Sequence, residues 1–253
     1  RDALVYLHRP PADADLEQLT LGRHPSQLRL ILEELLAHHL SLRLLRKQIR
    51  SSRAVPLYQS SDGLTFKMLN SLPYTLTGAQ QRVLNEIQHD LSQNEPMLRL
   101  IQGDVGSGKT ILAAAAAVQS VESGLQAVLM VPTELLAEQH YRNLQNWLGK
   151  LDIPVYLLSG KLKASNKEFV ISQMTSKDPF IAVGTHALFQ DDIKFGNLGL
   201  VIIDEQHRFG VHQRLSLIEK GNKRKRQPHQ LIMTATPIPR TLAMTMFAEL
   251  DIS

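Results

Sequence analysis

The chain has 253 residues, 43% of them hydrophobic and 21% charged, with 28 Lys plus Arg against 24 Asp plus Glu and no cysteine. That length and apolar share allow one large domain, or one domain with an appendage, and exclude a disordered chain; the net charge of +4 permits a polyanionic partner without requiring one. The lack of cysteine excludes disulfides and cysteine-based zinc sites and fits a reducing cytosolic compartment; no apolar run reaches the ~18 residues of a membrane span, and no secretory leader is recognisable.

Residues 1–24 read as a connector, broken at Pro10-Pro11, with a short helix expected over residues 12–19. From Pro25 to about Arg50, Leu28, Leu35, Leu42 and Ile49 recur every seven residues, with Ile31, Leu32 and Leu45 between them. This pattern predicts one long amphipathic helix, roughly 40 Å at ~1.5 Å per residue. Arg43, Arg46, Lys47, Arg50 and Arg53 gather at its end, where cations suit the helix dipole; direct DNA contact is the less favoured alternative. His38 and His39, between apolar neighbours, read as packing or surface residues. The polar stretch 51–71 reads as a linker, so the expected division is a helical connector over 1–71 and a main domain over 72–253. The chain opens on Arg1 and closes on Glu249-Leu250-Asp251-Ile252-Ser253 without a stop signal, which suggests a piece of a longer protein.

From about Leu72 the pattern alternates. Short apolar runs at Leu98–Ile101, Ala127–Val131, Val155–Leu158, Phe180–Val183, Leu200–Ile203 and Gln230–Met233 lack period-two alternation, as strands buried on both faces do. Helices are expected between them at Gln81–Ser92, Ile111–Ser123, Glu134–Leu148 and Lys167–Thr175, the second stopping at Gly124 and the third capped by Thr133. The predicted fold class is α/β with a mostly parallel sheet.

Two stations carry chemistry. Gly103-Asp104-Val105-Gly106-Ser107-Gly108-Lys109-Thr110 reads G-x-x-x-x-G-K-T, the P-loop pattern, between an expected strand and an Ala-rich helix. Its backbone N–H groups suit phosphate oxygens, Lys109 the β- and γ-phosphates of ATP, and the Thr110 hydroxyl Mg²⁺. The second station is Asp204-Glu205, two acids ending an apolar strand. At a strand C-terminus beside a P-loop, Asp204 suits the metal and Glu205 the attacking water; the plain alternative is two acids that merely end a strand.

Here the chain resembles superfamily 2 helicases of the DExH class. Asp204-Glu205-Gln206-His207 resembles their motif II, and Leu76-Thr77-Gly78-Ala79-Gln80 their Q motif. The stretch 131–139, VPTELLAEQ, resembles motif Ia, 183–188, VGTHAL, motif Ib, and 234–241, TATPIPRT, motif III in its long form. DEQHRFGV together with TATPIPRT is similar to the RecG family of bacterial branched-DNA translocases; the nearest rival is the transcription-repair coupling factor family, which shares TATPIPRT but usually has DEEQRFGV.

The resemblance implies a RecA-like P-loop NTPase lobe over 72–253, preceded by the connector. It implies a DNA-stimulated ATPase acting on branched or duplex DNA with ATP and Mg²⁺, in the bacterial cytoplasm at the nucleoid. It also implies a second RecA-like lobe and a wedge domain elsewhere in the full chain. By the same resemblance, Gln80 and Tyr74 hold adenine, and Gly103, Gly106, Ser107, Gly108, Lys109 and Thr110 hold the triphosphate and metal. Asp204 and Glu205 carry metal and water. His207 belongs with the catalytic set, and Gln206, His207, Thr234 and Thr236 couple motif II to motif III. Thr133, Gly184, Thr185 and His186 touch the nucleic-acid backbone. The run Lys220, Lys223, Arg224, Lys225 and Arg226 reads first as a solvated loop. A nucleotide-binding switch without translocation is the alternative from another class, and Glu205 argues against it, because a switch does not need a catalytic acid.

Overall fold

The computed structural model describes residues 2–51, 53–160, 162, 164–190, 193–205, 226–235 and 251–253. Their contacts divide into two units, one holding residues up to Gln48 and the other beginning at Ile49 and holding the remaining described residues.

The first unit contains α1 (Asp2–His8), α2 (Leu16–Thr20) and most of α3 (Pro25–Ser51). The chain breaks after α1 at Pro10-Pro11, as proline requires, but α1 itself lacked a sequence signal strong enough to predict. Asp15 caps α2 by accepting the Gln18 N–H at 3.0 Å. The rings of Tyr6 and His24 stack at 4.5 Å, and Gln27 donates to the Leu19 carbonyl at 2.9 Å, so the helices are joined by specific contacts. α3 has the predicted extent, 27 residues, but Leu28, Ile31, Leu32 and Leu35 on it are all about half exposed.

The second unit is built on one sheet. Its strands are β1 (Leu98–Gln102), β2 (Gln126–Met130), β3 (Val155–Leu158), β4 (Ile181–Gly184), β5 (Leu198–Asp204), β6 (His229–Thr234) and β7 (Asp251–Ile252). The order is β3-β4-β2-β5-β6-β1-β7, and every pairing is parallel. Six strands stand where the apolar runs place them. The two-residue β7 was not predicted, since its pairing with β1 and not its sequence makes it a strand. Ala127, Leu129, Ile181, Leu200, Ile202 and Leu231 face a core that includes α5 (Gly78–Leu91), α6 (Lys109–Glu122) and α7 (Glu134–Leu148). The alternate positions Val128, Met130, Ala182, Val201, Ile203 and Ile232 are buried as well, which explains runs without period-two alternation. α8 (Ala164–Thr175) follows β3.

α6 is buried from Ile111 to Val121. Its alanines let the helix lie close to the sheet, at little cost in side-chain entropy. It ends with the Gly124 N–H on the Val121 carbonyl and the Leu125 N–H on the Ser120 carbonyl, both 2.9 Å, the paired bonds of a Schellman stop.

The segment expected to be a linker differs from that expectation. Leu57 and Met68 are fully buried, and residues 64–70 form α4 (Leu64–Asn70). Polar side chains at the far end of α6 hold this segment: Gln119 donates to the Leu57 carbonyl at 2.7 Å, and Ser123 to the Tyr58 carbonyl at 3.1 Å. The Glu122 carboxylate accepts from Ser60 N, Thr65 N and Thr65 Oγ1 at 2.8, 3.2 and 3.0 Å. Glu122 thus caps α4 from another helix, in place of the side chain that its N-cap Gly63 lacks. The hooks are polar residues at the end of a predicted helix, and the segment they hold is the one that reads as loop-like. Among the described residues no helix is long and apolar enough to cross a membrane.

Candidate nucleotide site and its neighbours

Register brings the predicted motifs to one edge. Gln102 pairs with Thr234, Asp204 with Met233, Ile203 with Met130, and Met130 with Gly184. The P-loop, motif II, motif III, motif Ia and motif Ib therefore all leave the sheet at its C-terminal edge, where ligands of open α/β sheets bind. β6 lies between β5 and β1, so motif III stands between motif II and the P-loop.

The P-loop turns at Gly106 and Gly108, with φ of +83° and +87°, values that glycine adopts without a Cβ penalty. Gly108 is the N-cap of α6, which starts at Lys109, so the first N–H groups of a largely buried helix face the loop. The Lys109 ammonium donates to the Gly103 and Asp104 carbonyls at 2.6 and 2.8 Å and lies 3.5 Å from Ser107 Oγ. Gly103, Gly106, Ser107, Gly108, Lys109 and Thr110 are thus brought together as expected, an arrangement that suits a triphosphate.

Gln80 is beside them in an unexpected posture. Its Oε1 accepts the Thr77 N–H at 2.9 Å while Thr77 Oγ1 accepts the Gln80 N–H at 3.3 Å, a capping box that starts α5. Its Nε2 donates to the Ser107 carbonyl at 2.8 Å. This amide ties the Q motif to the P-loop. A Cβ on residue 108 would lie 2.2 Å from Gln80 Nε2, so Gly108 also makes room for that tie. Tyr74 lies apart from the loop. It is half exposed and lines a cleft of about 600 Å³ between α4 and α5, with Phe66, Asn70 and Gln81 but with no P-loop residue. Phe66, in the stretch taken for a linker, is a second ring there that sequence reasoning missed.

The two acids diverge. Asp204 ends β5, and its Oδ2 lies 3.1 Å from Nε2 of His140 on α7. Its Oδ1 makes no hydrogen bond among the described residues. Glu205 leaves the strand with φ +53°, a left-handed conformation that costs a non-glycine residue about 1–2 kcal/mol. Its N–H donates to the Met233 carbonyl at 3.0 Å, and its Oε1 accepts the Ala235 N–H at 3.1 Å. The carboxylate is therefore held by motif III. The Gly103 N–H reaches the Thr234 carbonyl at 3.3 Å, so the P-loop leans on the same strand end. Thr234 is buried, at 3% exposure. The carboxylate of Asp204 and the hydroxyl of Thr110 are hard oxygen donors, which fits Mg²⁺. Among the described residues no three His, Asp or Glu form a cage for a metal.

On the neighbouring strands, Thr133 caps α7 by accepting the Leu136 N–H at 3.3 Å, as expected. Gly184 ends β4, where a Cβ would come within 2.7 Å of the Leu158 carbonyl. Thr185, the residue after β4 and the N-cap of the turn that follows, is 2% exposed, with Oγ1 buried and without a hydrogen-bond partner among the described residues. His186 opens a 3-10 turn, His186–Phe189. Gln206, His207 and Thr236, with Lys220, Lys223, Arg224 and Lys225, lie outside the described residues; Arg226 forms a single bridge to Arg53. The partners of predicted site residues that sequence reasoning missed are His140 and Ala235, the latter through its N–H. Only His140 had a signal, a histidine inside the motif Ia helix.

Comparison with known proteins agrees with this geometry. The profile of the DEAD/DEAH box helicase family matches residues 77–245. The chain is 52% identical to the ATP-dependent DNA helicase RecG of Haemophilus influenzae over 253 residues, covering 100% of this chain and 36% of that protein. It is 54% identical to RecG of Escherichia coli K12 over 252 residues, with 100% and 36% covered. It thus spans about a third of the length of the curated relatives it matches. Among solved structures, that of RecG bound to a three-way DNA junction superposes with a TM-score of 0.78 at 38% identity, covering 99% of this chain and 32% of that one.

Proposed function

This chain belongs to the DEAD/DEAH box helicase family, and from that premise we propose that it is the first motor lobe of an ATP-driven translocase that remodels branched DNA, such as stalled forks and Holliday junctions. Similarity over the whole chain to RecG relatives supports that task over transcription-coupled repair. The observation that carries the motor reading is the convergence of the P-loop and Glu205 on the end of β6: Gly103 N–H on Thr234 O, and Ala235 N–H on Glu205 Oε1. A nucleotide switch needs the first bond but not the second.

In this reading the P-loop N–H groups and the α6 N-terminus bind the triphosphate of ATP, and the Lys109 ammonium moves onto the β- and γ-phosphates. A Mg²⁺ ion bound with ATP, through the Thr110 hydroxyl and the Asp204 carboxylate, would neutralise phosphate charge. Glu205 accepts the proton of the attacking water as its oxygen bonds to the γ-phosphorus and ADP leaves. Adenine is held by Gln80, whose amide stands beside the P-loop, and by the ring of Tyr74. Thr133, Gly184 and His186 are the residues that would meet the sugar-phosphate backbone, which positions DNA without reading its sequence. A second RecA-like lobe and a wedge domain belong to the rest of the full-length protein, which works at the bacterial nucleoid.

The test uses full-length protein in a phosphate-release assay with and without forked DNA. Lys109→Ala should abolish turnover and leave junction binding intact. Glu205→Gln should keep Mg·ATP binding but lower turnover by at least ~10², the lower range for a general base. Turnover near the wild-type rate in either variant would remove the motor assignment.

A further inference from the structure

We infer that His140 is a positioning residue for the nucleotide-bound metal: its imidazole fixes the rotamer of Asp204 and ties the helix that begins at Thr133 to the nucleotide site. The inference rests on the reading of Asp204 as a Mg²⁺ ligand.

His140 is 6% exposed, and its Nε2 lies 3.1 Å from Asp204 Oδ2. A carboxylate only accepts, so Nε2 carries the hydrogen. Nδ1 is buried and has no hydrogen-bond partner among the described residues. The contrast with His229 is informative. That buried ring uses both nitrogens, accepting the Met97 N–H at 3.0 Å and donating to the Val55 carbonyl at 2.9 Å. A histidine kept for stability satisfies both ends in this way. His140 satisfies one, and spends it on a carboxylate at the catalytic edge of the sheet. Its N–H occupies Oδ2 and leaves Oδ1 for the metal's shell. A carboxylate held so loses rotational freedom before the ion arrives, which is what partners behind a ligand supply.

The second half of the inference follows from helix geometry. His140 stands seven residues after Thr133, two turns along the same stripe of α7. The start of that helix is fixed to the loop after β3, where the Gly160 N–H donates to Glu134 Oε1 at 2.9 Å. A shift of α7 when DNA engages the Thr133 end therefore reaches Asp204 directly, through one hydrogen bond.

The experiment compares His140→Ala, His140→Asn, His140→Gln and Asp204→Asn in the full-length protein. The Gln amide N–H reaches the place of Nε2; the Asn amide is too short to do so. Mn²⁺ affinity is measured by electron paramagnetic resonance of free Mn²⁺, at saturating non-hydrolysable ATP analogue. Analogue affinity is measured separately in EDTA. We expect His140→Ala and His140→Asn to weaken Mn²⁺ about tenfold, the lower end for loss of such a partner, with metal-free affinity unchanged and with His140→Gln restoring the wild-type value. DNA stimulation of turnover should fall in the same two variants and return with Gln. If His140→Ala does not fold, the Asn and Gln pair decides alone. Equal Mn²⁺ affinity in these two, or a wild-type value in His140→Ala while Asp204→Asn is impaired, overturns the inference and leaves the metal reading standing. A wild-type value in Asp204→Asn removes the metal reading and the inference with it.

Discussion

His229 should make the stability of the sheet domain depend on pH, with a sign and size set by its surroundings. The ring is fully buried at the start of β6, and its two hydrogen bonds join that strand to Met97, just before β1, and to Val55, in the segment that follows α3. Burial lowers its pKa from 6.5 to about 4, against smaller upward pulls from the Val55 carbonyl and the charge of Asp90. Protonation would also put a hydrogen on Nδ1, facing the Met97 N–H. The unfolded chain takes up this proton near pH 6.5, and the folded protein only near 4. Stability from the neutral ring is therefore fully present above about pH 7 and is lost as pH falls from 6.5 towards 4. At 1.36 kcal/mol per pH unit that gap corresponds to about 3 kcal/mol, a sizeable part of the ~5–15 kcal/mol of a typical domain. The measurement is urea unfolding of wild type and His229→Gln at intervals from pH 8 to 4.5. Gln can keep both hydrogen bonds but does not titrate. The wild type should lose about 2–3 kcal/mol more than the variant across that range. Parallel curves for the two proteins would show that His229 takes up its proton as readily in the fold as in the unfolded chain, and the argument from burial would fail.

Asp204→Asn should weaken nucleotide binding in Mg²⁺ more than in EDTA, whereas Glu205→Gln should affect turnover alone; equal and mild effects from both in a binding and phosphate-release comparison would mean that these acids merely end a strand. Gly63→Ala puts a Cβ 1.7 Å from Glu122 Oε1 and should push that carboxylate off Ser60 and Thr65. Thermal unfolding should register a loss of about 2 kcal/mol, the scale of a charge-assisted hydrogen bond. DNA affinity should fall steeply with salt and ignore base sequence, as phosphate contacts do, and a strong sequence preference in a binding screen would count against the translocase reading.

Much of the fold was legible because burial on both faces leaves an unmistakable pattern. Runs such as Leu200–Ile203 have no polar alternation, and the segments between them carry clear caps at Thr133 and Gly124. What was hidden depends on distant partners. Residues 51–71 read as a linker because residues such as Gln59, Ser60, Ser61 and Asp62 are polar, and nothing local says that Glu122 and Gln119 will receive the segment. The candidate site shows the same division. The P-loop is a local motif, so its turn and helix start were readable residue by residue. Gln80 was located, but its amide's partners, Thr77 and Ser107, follow from a capping box and a tertiary approach. Thr185 carried a motif resemblance that says nothing of which way a strand-end side chain turns. His140 was invisible as a partner of Asp204 because 64 residues separate them.

The division of labour between Asp204 and Glu205 comes from the backbone as much as from the side chains. Successive residues of a strand face opposite sides of a sheet, so two adjacent acids in regular β-structure would be sent apart, one of them away from any common ligand. Asp204 is still part of β5 and turns to α7, where His140 meets it. Glu205 steps out of the strand into the left-handed region, and two bonds to β6 and its exit offset that strain: its own N–H on Met233 O, and the Ala235 N–H on its carboxylate. The acid proposed to take the proton is thus carried by motif III, while the acid proposed to hold the metal is carried by the motif Ia helix. The P-loop leans on motif III as well, through the Gly103 N–H and the Thr234 carbonyl. A displacement at the end of β6 must then move triphosphate loop and proton acceptor together. A displacement of α7 reaches the carboxylate proposed to hold the metal through His140. In the proposed reading, the end of β6 and α7 therefore reach one nucleotide through separate bonds.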